Sequence, residues 1–104
     1  MNTIIVLTET PVWHQGYIKH HLRNPGINMT GSFKWNRLVI NDIYEILFIN
    51  PVGIYSDAEL FANCVLDLTD GKCSEAVNSF IEQKIHCNYF LFTEIDELIG
   101  LLRG

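Results

Sequence analysis

The sequence has little charge, few cysteines and no long apolar run, and each shortage removes a class of protein. Charged residues make up 18% and hydrophobic residues 48% of the 104. That balance argues against wholesale disorder and suffices for one real core. No apolar stretch reaches the roughly eighteen residues of a membrane-spanning helix. The opening residues 1–10 have no basic region before their short apolar stretch and no cleavage site after it, so they read as a first strand rather than a signal peptide. The three cysteines, Cys64, Cys73 and Cys87, are odd in number and show no C-x-x-C spacing. This argues against a disulfide framework or a zinc site and suits a reducing cytoplasm. The sequon Asn28-Met29-Thr30 carries no meaning in that compartment. No Gly-rich phosphate loop follows the first strand, which runs into Glu9-Thr10-Pro11, and nucleotide hydrolysis is disfavoured accordingly.

Acid is scarce in one half of the chain only. Residues 1–40 hold one acid, Glu9, and four bases, Lys19, Arg23, Lys34 and Arg37; residues 41–104 hold eleven acids and three bases. The halves therefore carry +3 and −8, which sum to the net −5. Such a split marks a nucleic-acid face, two surfaces that complement each other between subunits, or an ordinary solvated surface.

What the chain does have is alternation of strands and helices within one domain, residues 1–104. Residues 3–7 are continuously apolar and β-branched, as in a strand buried on both faces. Thr10-Pro11 opens a helix and Asn24-Pro25-Gly26 stops it after about Arg23. Helical periodicity gathers Trp13, His14, Tyr17, Ile18, His21 and Leu22 on one broad face, read as the core side, and sets Gln15, Lys19 and Arg23 opposite. Residues 27–42 read two ways: a short strand near 27–30 followed by a helix, which is preferred, or a hairpin turning at Asn41-Asp42. Strands are expected at 44–49, 64–69 and 87–92. Ser56-x-x-Glu59 is a capping box for a short helix ending near Ala62. Amphipathic helices follow at 73–85 and from Thr93 to about Leu102. The pattern predicts an α/β fold with a five-stranded doubly wound parallel sheet and right-handed crossovers. Ligands of such sheets bind beyond the carboxyl ends of the strands, here Thr8-Glu9, Asn50, Thr69-Asp70 and Phe92-Thr93.

The stretch from Val6 to Leu22, with Pro11 and Gly16 in place after the strand, resembles the first strand and helix of NarL/LuxR-type receiver domains. Leu68-Thr69 resembles the end of their fourth strand with its switch Thr. Residues 73–85 resemble the fourth helix, Asn88-Tyr89-Phe90-Leu91 the fifth strand, and Glu97-Leu98 through Gly104 the fifth helix. The resemblance covers about two-thirds of the chain by pattern and implies a flavodoxin-like, CheY-like fold; residues 24–43 match poorly. It is this resemblance that favours strand plus helix over hairpin at 27–42.

A working receiver needs an Asp nucleophile, two further acids for Mg²⁺, a Lys and a hydroxyl. The resemblance puts the acidic pair on Thr8-Glu9, the acceptor on Asn50, the Lys on Phe92 or Thr93, and the hydroxyl on Thr69. A neutral amide is a poor nucleophile and brings no anionic oxygen to a metal. The expectation is a pseudo-receiver with no catalytic residue, no cofactor and no metal. Asp67 could enter the site only by an alignment slip and reads instead as a partly buried or edge acid. His14 and His21 lie about 10 Å apart along the helix, too far for one metal, and read as packing residues.

The resemblance then implies a cytoplasmic regulatory module of a LuxR-type transcription regulator, reading DNA only through a domain absent from this chain. Lys19 and Arg23 of the first helix oppose Glu94, Asp96 and Glu97 of the last, so a homodimer or a heterodimer with a related regulator is expected. Two other classes are a stand-alone inhibitor or adaptor, such as a phage-encoded one, that binds a partner protein, and a Mg²⁺-dependent phosphoryl-transfer enzyme using Glu9, Asp67 and Asp70. A minority reading takes Trp13, Tyr17, Lys19, Arg23, Lys34, Trp35 and Arg37 as an aromatic-basic nucleic-acid surface.

Overall fold

A computed structural model describes residues 2–23, 26–32, 36–52, 60–62, 64–69, 71, 74–86, 90–92 and 95–103. In chain order the elements are β1 (Asn2–Leu7), α1 (Pro11–His21), β2 (Met29–Ser32), β3 (Arg37–Ile40), β4 (Tyr44–Ile49), β5 (Leu60–Phe61), β6 (Cys64–Asp67), α2 (Ser74–Lys84), β7 (Ile85–His86), β8 (Phe90–Phe92) and α3 (Ile95–Arg103). Strands and helices alternate at both ends of the chain, and the fold is α/β.

The main sheet is six-stranded and mixed, in the order β2-β3-β4-β1-β6-β8. β4, β1, β6 and β8 are mutually parallel, while β2 and β3 join through antiparallel ladders. β5 and β7 form a separate two-stranded parallel pair. β1 sits between two parallel neighbours, with Leu7 level with Ile49 of β4 and Asp67 of β6. Its continuous apolar run follows from this place, because both of its faces are covered. Ile4 and Val6 pack with Ile18 and Leu22 of α1 and with Leu98, Ile99 and Leu102 of α3. Ile5 and Leu7 point the other way, into Val65, Val77 and Phe80. α1 and α3 therefore share one face of the sheet and α2 covers the other.

Three expectations are corrected. The sheet is not all-parallel. Residues 27–42 hold no strand-plus-helix unit: β2 and β3 form an antiparallel hairpin, and β3 turns tightly into β4. The residues themselves favour this. Leu38 and Ile40 are buried while Arg37 is exposed, the alternation of a half-buried strand. Asn41 and Asp42, in the three-residue turn between the paired Ile40 and Tyr44, adopt left-handed φ values of 52° and 55°, which Asn and Asp tolerate, and Ile43 N–H closes the turn on the Ile40 carbonyl at 3.0 Å. Asn41 also clamps Asn28, its backbone N–H donating to the Asn28 carbonyl at 2.7 Å and its side-chain oxygen accepting the Asn28 N–H at 2.7 Å. Finally, the short helix expected to end near Ala62 does not reach that residue, since Leu60–Phe61 is the strand β5; residues 53–59 lie outside the described residues.

α1 keeps Ile18 and Leu22 of the expected face buried and Tyr17 packed against the core, but turns Trp13 and His21 outward and Gln15 inward. Its buried residues are Gln15 and Ile18, with Leu22 at its end, whereas Trp13 is 62% exposed and His21 is exposed. Apolar side chains occur around most of the helix, so spacing alone does not single out the inner face. The neighbour decides: the Gln15 amide donates to the Arg37 carbonyl of β3 at 3.1 Å, a partner that exists only once the hairpin joins the sheet. Gly31 of β2 permits this approach, for a Cβ there would stand 3.0 Å from Gln15 Nε2 and from Lys19 Nζ.

Candidate functional site

Thr8, Asn50 and Thr69 do gather at one edge, since they follow the ends of the adjacent parallel strands β1, β4 and β6. Backbone bonds hold the ends together: Thr8 N–H donates to the Ile49 carbonyl and Leu68 N–H to the Leu7 carbonyl, each at 2.9 Å. Glu9 is exposed beside them. β8 ends at Phe92 at the same edge. Thr93, Glu94 and Asp70 lie outside the described residues.

Each of the three central strands ends in the same device. A side-chain oxygen accepts the backbone N–H two residues on. Asn50 Oδ1 takes Val52 N–H at 3.0 Å, Thr8 Oγ1 takes Thr10 N–H at 3.0 Å, and Asp67 Oδ1 takes Thr69 N–H at 2.9 Å. Short polar side chains favour such local turns because they replace the ladder bonds that a strand loses at its end. Asp67 Oδ1 also accepts the Thr69 hydroxyl at 2.6 Å. The Thr8 hydroxyl meets His14 Nδ1 at 2.5 Å, and that nitrogen lies 3.3 Å from both the Thr10 hydroxyl and the Thr10 carbonyl. Thr8 is fully buried and Thr69 is 2% exposed. The hydroxyls and the amide at this edge are thus committed to holding their own chain.

Sequence reasoning missed two of these roles. His14, taken as a packing residue two turns from His21, is the hydrogen-bond partner of Thr8. Asp67 is half-buried at the last position of β6, and its carboxylate faces Thr69 rather than a metal. The i, i+2 spacing of Thr8-x-Thr10 and Asp67-x-Thr69 was the available signal for both turns. Among the described residues, no group of three His, Cys, Asp or Glu side chains is placed to hold a metal ion. Burial in β6 pushes the Cys64 thiol upward.

A second feature begins at the same edge. Val12, Trp13 and Val52, three of the four large exposed apolar side chains among the described residues, follow the ends of β1 and β4. Along α1, Trp13 stacks on Tyr17 with ring centroids 5.2 Å apart, and Tyr17 lies 4.2 Å from His21. Val12, Trp13, Gly16, Tyr17 and His20 line an open groove of about 360 Å³. The helix carries Lys19, His20 and His21 in its last turn and no acid. Of the expected pairing residues, Arg23, Asp96 and Glu97 are exposed; Lys19 is half-buried, its ammonium beside Gly31. Arg37 instead pairs with Glu45 at 2.9 Å.

No protein-family model matches this chain, and no curated protein and no solved structure is significantly similar to it. Among the described residues, no helix is long and apolar enough to cross a membrane.

Proposed function

We propose that this chain is a receiver-like regulatory module that carries out no phosphoryl chemistry and acts through protein contacts. The observation that carries the reading is the self-capped carboxyl edge. An acceptor carboxylate and a Mg²⁺ site need several side-chain oxygens aimed outward from adjacent strand ends. Here Asn50, Thr8 and Asp67 turn their oxygens back onto Val52, Thr10 and Thr69. The order of the parallel strands, β4-β1-β6-β8, with α1 and α3 on one face and α2 on the other, supports a flavodoxin-like core carrying an added antiparallel pair. The Mg²⁺-dependent enzyme is the weaker reading, because Asp67 is spent on Thr69.

The partner in this reading is a second copy or a related regulator in the cytoplasm, with DNA contacted by a separate domain. α1 and α3 lie on the same face, with Lys19 and Arg23 on one and Asp96 and Glu97 on the other. A two-fold pair would set each helix against the opposite charge of its counterpart. Two measurements test the proposal. Incubation with acetyl phosphate and Mg²⁺ should leave the intact mass unchanged, and a stable phosphoryl adduct would overturn it. Sedimentation of the Lys19→Glu, Arg23→Glu double variant should show weaker self-association than the parent; an unchanged association constant removes this interface. A stand-alone adaptor would instead show a monomer that binds an unrelated protein.

A further inference from the structure

We infer that β2, the outer strand of the main sheet, is an interface at which two copies of this chain pair strand to strand. β2 ends the six-stranded sheet, with β3 on one side and, among the described residues, no strand on the other. The ladder fixes which backbone groups look outward. Opposed residues of an antiparallel pair alternate between bonded and unbonded positions. Asn41 N–H donates to the Asn28 carbonyl, so Asn28 stands at a bonded position, as do Thr30 opposite Val39 and Ser32 opposite Arg37. Met29 and Gly31 fall between these and turn their N–H and C=O groups away from β3. The edge has none of the chemical guards that keep strands apart: Met29–Ser32 holds no charge and no proline, and its register with β3 has no bulge.

The occupant is a second copy because the edge is self-complementary. Two β2 strands set antiparallel about a two-fold axis at Thr30 bring Met29 of each copy opposite Gly31 of the other. Those two pairs exchange four N–H···O=C bonds and use every outward group of Met29 and Gly31. The side chains suit this register. Met29 and Gly31 lie on the α1 face, where Met29 packs on the core and a Cβ on Gly31 would stand 3.0 Å from Gln15 Nε2. Met29 thus meets a residue with no side chain to crowd it. Thr30 is exposed on the other face beside Val39 and meets its own copy, and Thr–Thr pairs are favourable across strands. The charges next to it on that face are matched within one chain, Arg37 with Glu45 at 2.9 Å. β8, at the far end of the sheet, runs parallel to β2, so a β2–β8 contact would be head-to-tail and leave an open edge at each end. Two β2 edges close on each other. The contact is separate from the α1–α3 pairing and does not rest on the receiver reading.

The test is sedimentation equilibrium of the full chain. Thr30→Lys and Thr30→Glu each set like charges against each other at the axis and should weaken self-association about tenfold, while an equimolar mixture of the two should pair at least as well as the parent. Thr30 is exposed, so both variants should fold, which circular dichroism establishes. Residues opposed at an unbonded position stand about 4.5 Å apart between Cα atoms, within disulfide range. Thr30→Cys should therefore give a covalent dimer with oxidised glutathione, linked at position 30 in the peptide mass map, whereas Ile43→Cys, exposed in the β3–β4 turn, should not. That cross-link should persist when Asp96→Lys and Glu97→Lys are added, and at about 500 mM salt, both of which weaken the charge-steered α1–α3 contact. The two interfaces thus fail separately. Thr30→Lys and Thr30→Glu associating like the parent overturn the inference, as does a mixture that fails to restore pairing, or a Thr30→Cys chain that forms no link at position 30. A parent that stays monomeric to about 1 mM also overturns it, as does one that grows into open-ended chains.

Discussion

Replacing Trp13 by alanine separates the two orientations of α1 by energy. Were the ring buried, as helical periodicity suggests, the loss would be about 3–5 kcal/mol. In the structure only about a third of the side chain is covered, since Trp13 is 62% exposed. A third of roughly 200 Å² is about 70 Å², which at about 25 cal/mol per Å² corresponds to about 1.8 kcal/mol. That figure is an upper bound, because the unfolded chain also hides apolar area. Alanine's better helix propensity returns about 0.5 kcal/mol. A net loss of about 1 kcal/mol is expected, or a fall in Tm of about 4–8 °C for a domain of this size. Ile18→Ala, at a fully buried position of the same helix, should cost about 2–5 kcal/mol. Urea unfolding at 25 °C followed by far-ultraviolet circular dichroism reads both. If Trp13→Ala costs as much as Ile18→Ala, the ring ladder faces inward and the account of α1 is wrong.

Further outcomes follow from the strand ends and the turns. Thr8→Val removes the oxygen that accepts Thr10 N–H and bonds His14, and should lower stability by about 1–3 kcal/mol, whereas Thr8→Ser keeps the oxygen and should lose less; equal losses in thermal melts would refute the capping role. Asp42→Gly relieves a left-handed residue in the β3–β4 turn and should raise stability by about 0.5 kcal/mol, while Asp42→Val should lower it, both read by urea midpoint. Burial raises the Cys64 thiol above its ordinary 9.0, so the unfolded chain ionises first as pH rises and stability drains away above pH 9. Cys64→Ala should shallow that alkaline decline relative to the parent, and parallel pH profiles would remove Cys64 as its source.

Much of the scaffold was legible because it is written in short-range pattern. The run Ile4-Ile5-Val6-Leu7 signals a strand covered on both faces, and Pro11 and the stretch before residue 26 bracket α1 closely. α2 and α3 begin and end within two residues of their periodic spans. The three polar strand ends Thr8, Asn50 and Thr69 meet at one edge because parallel strands place all their carboxyl ends together. Over residues 27–42 local chemistry outweighs the family resemblance: Asn41-Asp42 is a hairpin signal, and alternation in Arg37-Leu38-Val39-Ile40 is a strand signal.

Residue type and order alone establish that strands and helices alternate, that the central strand is buried on both sides, and that hydroxyl and amide groups stand at its carboxyl edge. These depend on residue type and spacing along the chain. The inward place of Gln15 depends on the folded chain, because its partner is a carbonyl on β3 twenty-two residues away. The same holds for where the antiparallel pair joins the sheet, beside β4 and away from β6 and β8. It holds too for the ring ladder: whether aromatic side chains at helical spacing form a core or a surface depends on what packs against them, and that is a property of the fold.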